Sequence, residues 1–226
     1  MRKTVAFAAL CVTVCAASPA FAQGVKLKTT PFPDGTGSIG IAPGWHLESA
    51  YNGGVGCSEP GGAVVILKLP YTILRPESSV AQLPASATAP MAQAGDLIGA
   101  LRSVLEKTNG KLGTVRGRKL GNLPSGAPTY LLHYQFKQNG RDYTAIGYFA
   151  PLDYGADQPM WQLYSSAVAA PTPQFTKQLP AMLAMWKSWR PNGKKPREGS
   201  ASAVFDEILK NRKASYDEIQ KKFREQ

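Results

Sequence analysis

The sequence predicts an α+β protein: an antiparallel sheet of about six or seven strands packed with two core helices, followed by a C-terminal tail helix. Three observations carry this reading. Asn139-Gly140 stands between two runs in which aromatic and polar residues alternate, a strong short-range signal for a β-hairpin. Short apolar or β-branched runs bounded by Gly, Pro and Asn recur at 38–41, around Cys57, and at 63–74, 112–120 and 160–168. Two other segments, 97–108 and 175–189, instead repeat apolar residues at helical spacing.

In chain order, residues 1–22 read as a secretory signal peptide. Arg2 and Lys3 precede an apolar run over 5–17, and Ala20-Phe21-Ala22 offers a small-x-small cleavage site before Gln23. That run is shorter than the roughly 20 residues a spanning helix needs, and no later stretch is long enough either. Neither Cys11 nor Cys15 follows the small residue that a lipoprotein signal wants. The chain from Gln23 is therefore expected to be exported and soluble, in the periplasm or released. Loss of Arg2 and Lys3 takes 26 Lys/Arg to 24 against 15 Asp/Glu, so the net charge falls from +11 to +9. Cys57 is then the only cysteine, either a buried thiol or the partner of a second chain. With no internal disulfide available, the core alone must hold the fold.

Residues 24–34 form a polar lead-in. The strand at 38–41 stops at Pro43-Gly44 and is followed by Trp45-His46-Leu47; Asn52-Gly53 turns the chain towards Cys57. The run 63–74 reads as a central strand ending at Pro70 or just beyond, and 75–93, rich in Pro, Ala and Ser, as a long loop. Leu97, Ile98, Leu101, Val104, Leu105 and Thr108 form a helix stripe, with Asp96 at its start and Asn109-Gly110 at its end.

A two-residue turn at Asn139-Gly140 fixes the hairpin register. Lys137 faces Asp142, Phe136 faces Tyr143, Gln135 faces Thr144, Tyr134 faces Ala145 and His133 faces Ile146. Tyr130, Leu132, Tyr134 and Phe136 then share a face with Tyr143, Ala145 and Phe149. Thr172-Pro173 begins the last core helix, whose stripe is Phe175, Leu179, Met182, Trp186 and Trp189. Pro180 bends this helix or marks its true beginning.

The globular domain is thus set at 23–190, a basic linker at 191–201 and a charged amphipathic helix at 202–226. Phe205, Leu209, Tyr216, Ile219 and Phe223 form its thin apolar stripe, a candidate partner contact.

Motifs for chemistry are weak. Gly35-Thr36-Gly37-Ser38-Ile39-Gly40 matches G-x-G-x-x-G, but Ile41-Ala42-Pro43-Gly44 behind it cannot start the helix that a dinucleotide needs. His46 and His133 lack the cysteines or carboxylates of a closed zinc site, and Asp153 and Asp157 read as turn formers. No cofactor and no metal are expected. The basic excess is the global feature with functional content. Arg116, Arg118 and Lys119 cluster on one strand, and Lys187, Arg190, Lys194, Lys195 and Arg197 around the end of the last core helix. Such surfaces suit anionic partners such as lipid head groups, envelope polysaccharide or an acidic protein. Nucleic acid is not expected, since no binding module for it is present.

The strand carrying Gly-Ser-Ile-Gly-Ile-Ala-Pro-Gly-Trp over 37–45, the meander after it, one helix, further strands and a final amphipathic helix together resemble the PsbP-like fold over about 34–190. The resemblance implies an antiparallel sheet with helices packed against it, and a protein that acts by binding other proteins rather than by catalysis. Two functional expectations follow. The first is an exported, non-enzymatic binding or assembly module of the bacterial cell envelope, with a protein, an anionic component or a membrane surface as its contact. The second is a periplasmic hydrolase or small-ligand binder, with a pocket formed by His133, Gln135 and Tyr148 beside the 75–93 loop.

Overall fold

Alternation along the Asn139 hairpin puts aromatic side chains on one face of a ribbon, and covering that ribbon organises the chain. The computed structural model describes residues 25–191; the segments expected to be a signal peptide (1–22), a linker (191–201, but for Pro191) and a tail helix (202–226) lie outside the described residues. The strands are β1 (Lys28–Pro31), β2 (Gly37–Ile41), β3 (His46–Tyr51), β4 (Gly54–Ser58), β5 (Val64–Leu74), β6 (Gly110–Asn122), β7 (Pro128–Gln138), β8 (Arg141–Leu152), β9 (Met160–Pro171) and β10 (Arg190–Pro191). Helix α1 (Leu97–Glu106) separates β5 from β6, and α2 (Phe175–Ser188) follows β9. Seven antiparallel strands form the large sheet in the order β3-β4-β5-β9-β8-β7-β6; β1, β2 and β10 form a small antiparallel sheet with β2 in the middle.

The hairpin forms as expected. Asn139 and Gly140 have φ of 50° and 77°, the left-handed region a type I′ turn requires. The register Lys137↔Asp142, Phe136↔Tyr143, Gln135↔Thr144, Tyr134↔Ala145 and His133↔Ile146 follows from it. Leu132, Tyr134, Phe136, Ala145 and Phe149 are buried on one face with Ile73, Trp161 and Leu163, under Leu97, Leu101 and Val104 of α1. Phe136 stacks on Tyr143 with ring centroids 5.0 Å apart, and Tyr134 meets Phe149 edge-on at 6.0 Å. Across the sheet, Ile146, Tyr148, Ala150, Tyr164 and Val168 pack with Phe175, Met182, Leu183 and Trp186 of α2 and with Ile39 of the small sheet. Each side of the large sheet therefore carries its own core.

Three local expectations need correction. The strands are not a simple meander: after β5 the chain crosses to the far edge of the large sheet before β6, and β9 returns to pair with β5. Strand β5 runs through Pro70 to Leu74. A one-residue bulge between Ile66 and Leu69 places Lys68 at φ 58°, and β4 pairs only Val64–Leu67. Beyond the bulge β5 is an edge on that side, where a residue without an N–H is tolerated. Thr172 does not cap α2. A 3-10 turn over Thr172–Gln174 precedes the helix, the Thr172 and Thr144 hydroxyls bond to each other at 3.1 Å, and Pro180 lies inside the helix. The folded part also reaches Pro191, because Arg190 and Pro191 pair with Ser38 and Gly37.

Two glycines of the G-x-G-x-x-G match, Gly37 and Gly40, have a packing reason, and Gly35 turns the chain at φ 69°. A side chain at Gly40 would strike Leu27 and the Ser188 hydroxyl, both 2.9 Å from where its Cβ would sit. The bare backbone lets Gly40 N donate to Ser188 Oγ at 2.8 Å, seating β2 against the end of α2.

Asp34 ties the two sheets together. Its carboxylate accepts from Thr36 Oγ1 (2.7 Å), Thr36 N (3.0 Å) and Asn52 N (2.8 Å). Gly53 N donates to Thr36 Oγ1, and Trp189 Nε1 donates to Gly53 O at 3.0 Å. The β3–β4 turn is thereby bonded to the small sheet's turn and to the end of α2.

Two outcomes are expected. Replacing Phe149, 2% exposed, by alanine should cost about 3–5 kcal/mol in denaturant unfolding, because its ring fills the core beneath α1. The Thr36 hydroxyl, its N–H and that of Asn52 hold the Asp34 carboxyl below its ordinary 3.8. Its contribution is therefore present above that value and fades as pH falls through the lowered one. Thermal melts between roughly pH 5 and pH 2 should show a shallower acid slope for Asp34→Asn than for the parent; parallel slopes would contradict this.

Candidate functional site

Strand β6 is the last strand of the large sheet, and its outer edge faces solvent. Two one-residue bulges, between Leu112 and Val115 and between Lys119 and Gly121, re-aim its side chains. The register after the first bulge sets Arg116 opposite His133 and Arg118 opposite Leu131; before it, Lys111 stands opposite Lys137. Directly opposed residues share a face, so Lys111, Lys137, Arg116, His133 and Arg118 all point to the α2 side of the sheet. Helix α2 packs over β5, β8 and β9, which leaves this margin open. All five side chains are exposed. Lys119, opposite Tyr130, points to the α1 side.

Like charges face each other here. Lys111 and Lys137 meet at one register position, and the Asp142 carboxylate is 3.5 Å from Lys137. An exposed pair of that kind contributes little, while opposed like charges are unfavourable. The His133 ring lies 6.4 Å edge-on from Phe175, and partial burial together with the Arg116 charge holds its imidazole below the ordinary 6.5. The margin's standing positive charge at neutral pH therefore comes from the lysines and arginines.

The residues expected to form a pocket separate. His133 and Gln135 are at the surface, whereas Tyr148 is 1% exposed within the α2-side core. The 75–93 loop is on the other side of the sheet: Ala92 packs beneath α1, and Trp161 Nε1 donates to its carbonyl at 3.0 Å. The loop and His133 cannot line one cleft, because the sheet lies between them. Asp153 and Asp157 shape turns as expected. Asp153 accepts from Gly155 N at 3.0 Å and from the Arg75 guanidinium at 2.6 Å, and Asp157 from Gln158 at 3.3 Å.

The second basic cluster is partly structural. Arg190 Nη1 donates to the carbonyls of Lys187 (2.6 Å) and Trp189 (2.9 Å), closing the C-terminal end of α2. Lys187 is exposed in the last turn. Lys194, Lys195 and Arg197 lie outside the described residues, as do Phe205, Leu209, Tyr216, Ile219 and Phe223. Among the described residues no group of three or more His, Cys, Asp or Glu is placed to hold a metal, and no helix is long and apolar enough to cross a membrane. The sequence pointed to Arg116 and Arg118 but missed Lys111 and Lys137, which share a face with them only because the bulge shifts the register.

No protein-family model matches the chain, and no curated protein matches it. Solved structures similar to it include cyanobacterial PsbP (CyanoP) from Synechocystis sp. PCC 6803, 11% identical, covering 78% of this chain and 98% of that one with a TM-score of 0.37. LpqN, involved in cell envelope biogenesis of Mycobacterium tuberculosis, is 11% identical over 74% of this chain and 92% of its own, with a TM-score of 0.33. The Ran-binding protein Mog1p of Saccharomyces cerevisiae is 11% identical over 74% and 95%, with a TM-score of 0.31. Likenesses of this size carry no argument about ligand or partner. The two antiparallel sheets with two helices make an α+β architecture, as expected.

Cys57 is 2% exposed, and burial, then the Glu48 carboxylate, push its thiol up to about 12. In the chain from Gln23 onward, iodoacetamide at mildly alkaline pH should leave the native protein unmodified and label one site after denaturation. Rapid native labelling would show Cys57 to be accessible.

Proposed function

We propose that this protein is an exported, non-enzymatic binding module of the bacterial cell envelope that holds an anionic partner against the basic face of β6 and β7. The observation that carries the reading is the alignment of Lys111, Lys137, Arg116 and Arg118 on one uncovered margin of the sheet. Arg116 and Arg118 occupy successive positions of this face and Lys111 and Lys137 share one beyond Gln135; an extended polyanion laid along the margin neutralises all four while releasing counterions. Export rests on the pattern of residues 1–22. The segment 202–226, with its apolar stripe, supplies a second contact for a protein partner.

A long edge strand also invites unwanted pairing, and charged side chains with bulges are a usual protection. Binding separates the two roles, because protection needs charge but no ligand. Immobilised dextran sulfate should retain the chain from Gln23 at low salt and release it as salt rises. Arg116→Glu combined with Arg118→Glu should weaken retention roughly tenfold or more, about 1.4 kcal/mol, with thermal stability unchanged. Retention equal to the parent's would remove the basis of the proposal.

A further inference from the structure

Where the chain passes from β2 to β3, the small sheet and the edge of the large sheet diverge. An open groove of about 500 Å³ lies between them, within the size range of small-molecule sites. Its floor is the connection through Ala42 and Trp45, closed by Trp45 N donating to Ala42 O at 3.1 Å. Leu27, Ile41 and Leu47 form the apolar walls. Each packs against the α2-side core on one side and is only half-buried, so its other side faces the groove. Trp45 itself is 7% exposed.

The polar part of the lining has a single sign. Lys26 and Lys28 come from the lead-in and β1, His46 from the start of β3, and among the described residues no acid lines the groove. The nearest acid along β3, Glu48, accepts from Ser58 Oγ at 2.5 Å. Lys26, Lys28 and His46 are all exposed. Apolar walls that stay wet, and cations with no acid beside them among the described residues, call for a ligand that is apolar at one end and negative at the other. A bare anion would leave the walls in water; a neutral amphiphile would leave the lysines without a counter-charge.

We propose that this groove binds a single-chain amphiphilic carboxylate, a fatty-acid-like anion. Its hydrocarbon lies along Leu27, Ile41 and Leu47 over Trp45, and its carboxylate is held by Lys26 and Lys28, with His46 at the mouth. Apolar contact supplies most of the affinity, and the charge fixes the orientation. The site is separate from the β6 margin and does not depend on it.

The test is isothermal titration of dodecanoate, kept below its micelle-forming concentration, into the chain from Gln23 onward, which contains every described element. Saturable binding of one dodecanoate per chain is expected. Lys26→Glu combined with Lys28→Glu should weaken it at least tenfold without lowering the melting temperature, while Lys26→Arg with Lys28→Arg should retain it. Dodecyl maltoside, with the same tail and no charge, and inorganic phosphate, with charge and no tail, should both bind at least tenfold more weakly. Arg116→Glu with Arg118→Glu should leave the dodecanoate titration unchanged. Absence of saturable dodecanoate binding, indifference to the Lys26/Lys28 reversal, or equal binding of the maltoside or phosphate would each overturn the proposal. So would an equal loss from the β6 reversals, which would reduce the effect to general charge attraction.

Discussion

The large sheet buries side chains on both of its faces, and the rest of the structure is arranged to keep both covered. Strand β8 shows why: Thr144 through Leu152 are buried without interruption, residues of one parity facing α1 and those of the other facing α2. A strand of this kind cannot tolerate a slip of one residue, because every side chain would trade one core for the other. The turn at Asn139-Gly140 removes that freedom by fixing the alignment of β7 on β8 from one end. From there β9 and β5 inherit their registers, and α1 and α2 find matched apolar surfaces on opposite sides.

The parts of this arrangement written into short stretches of sequence were legible beforehand. Asn139-Gly140 has a backbone preference of its own, and it predicted five paired positions correctly. Asp96, whose carboxylate accepts from Gly99 N, announced α1 for an equally local reason. What escaped were features decided by distant partners. Pro70 looked like a strand end because a central strand excludes proline, and only the shortness of β4 makes that stretch of β5 an edge. Thr172 looked like a helix cap until Thr144, 28 residues away, was found to hold its hydroxyl. The small sheet was invisible because two of its three strands are very short or lie in a polar lead-in, and its pairing joins residues 38 and 190.

The candidate site divides along the same line. The clustering of Arg116 with Arg118 is a matter of spacing and could be read directly. Lys111, opposite Lys137, shares a face with Arg116 and Arg118 only because of the bulge between Leu112 and Val115, and nothing in those residues compels it. His133 was correctly placed on its strand but wrongly grouped with the 75–93 loop, because the sequence does not say which side of a sheet a long connection will cover. His46, Lys26 and Lys28 are unremarkable in sequence and acquire a common meaning only when two sheets bring them to one groove.

Strand β10 has a mechanical consequence. It joins the small sheet through two residues, Arg190 and Pro191, and Pro191 is the last residue described. A load applied at Pro191 therefore falls first on a ladder of two paired positions. Once it has opened, the pull reaches Trp189, whose indole bond to Gly53 anchors the end of α2 to the tip between β3 and β4. Tension applied at Pro191 would thus reach, through the end of α2, the turn at which Asp34 and Thr36 tie the two sheets together.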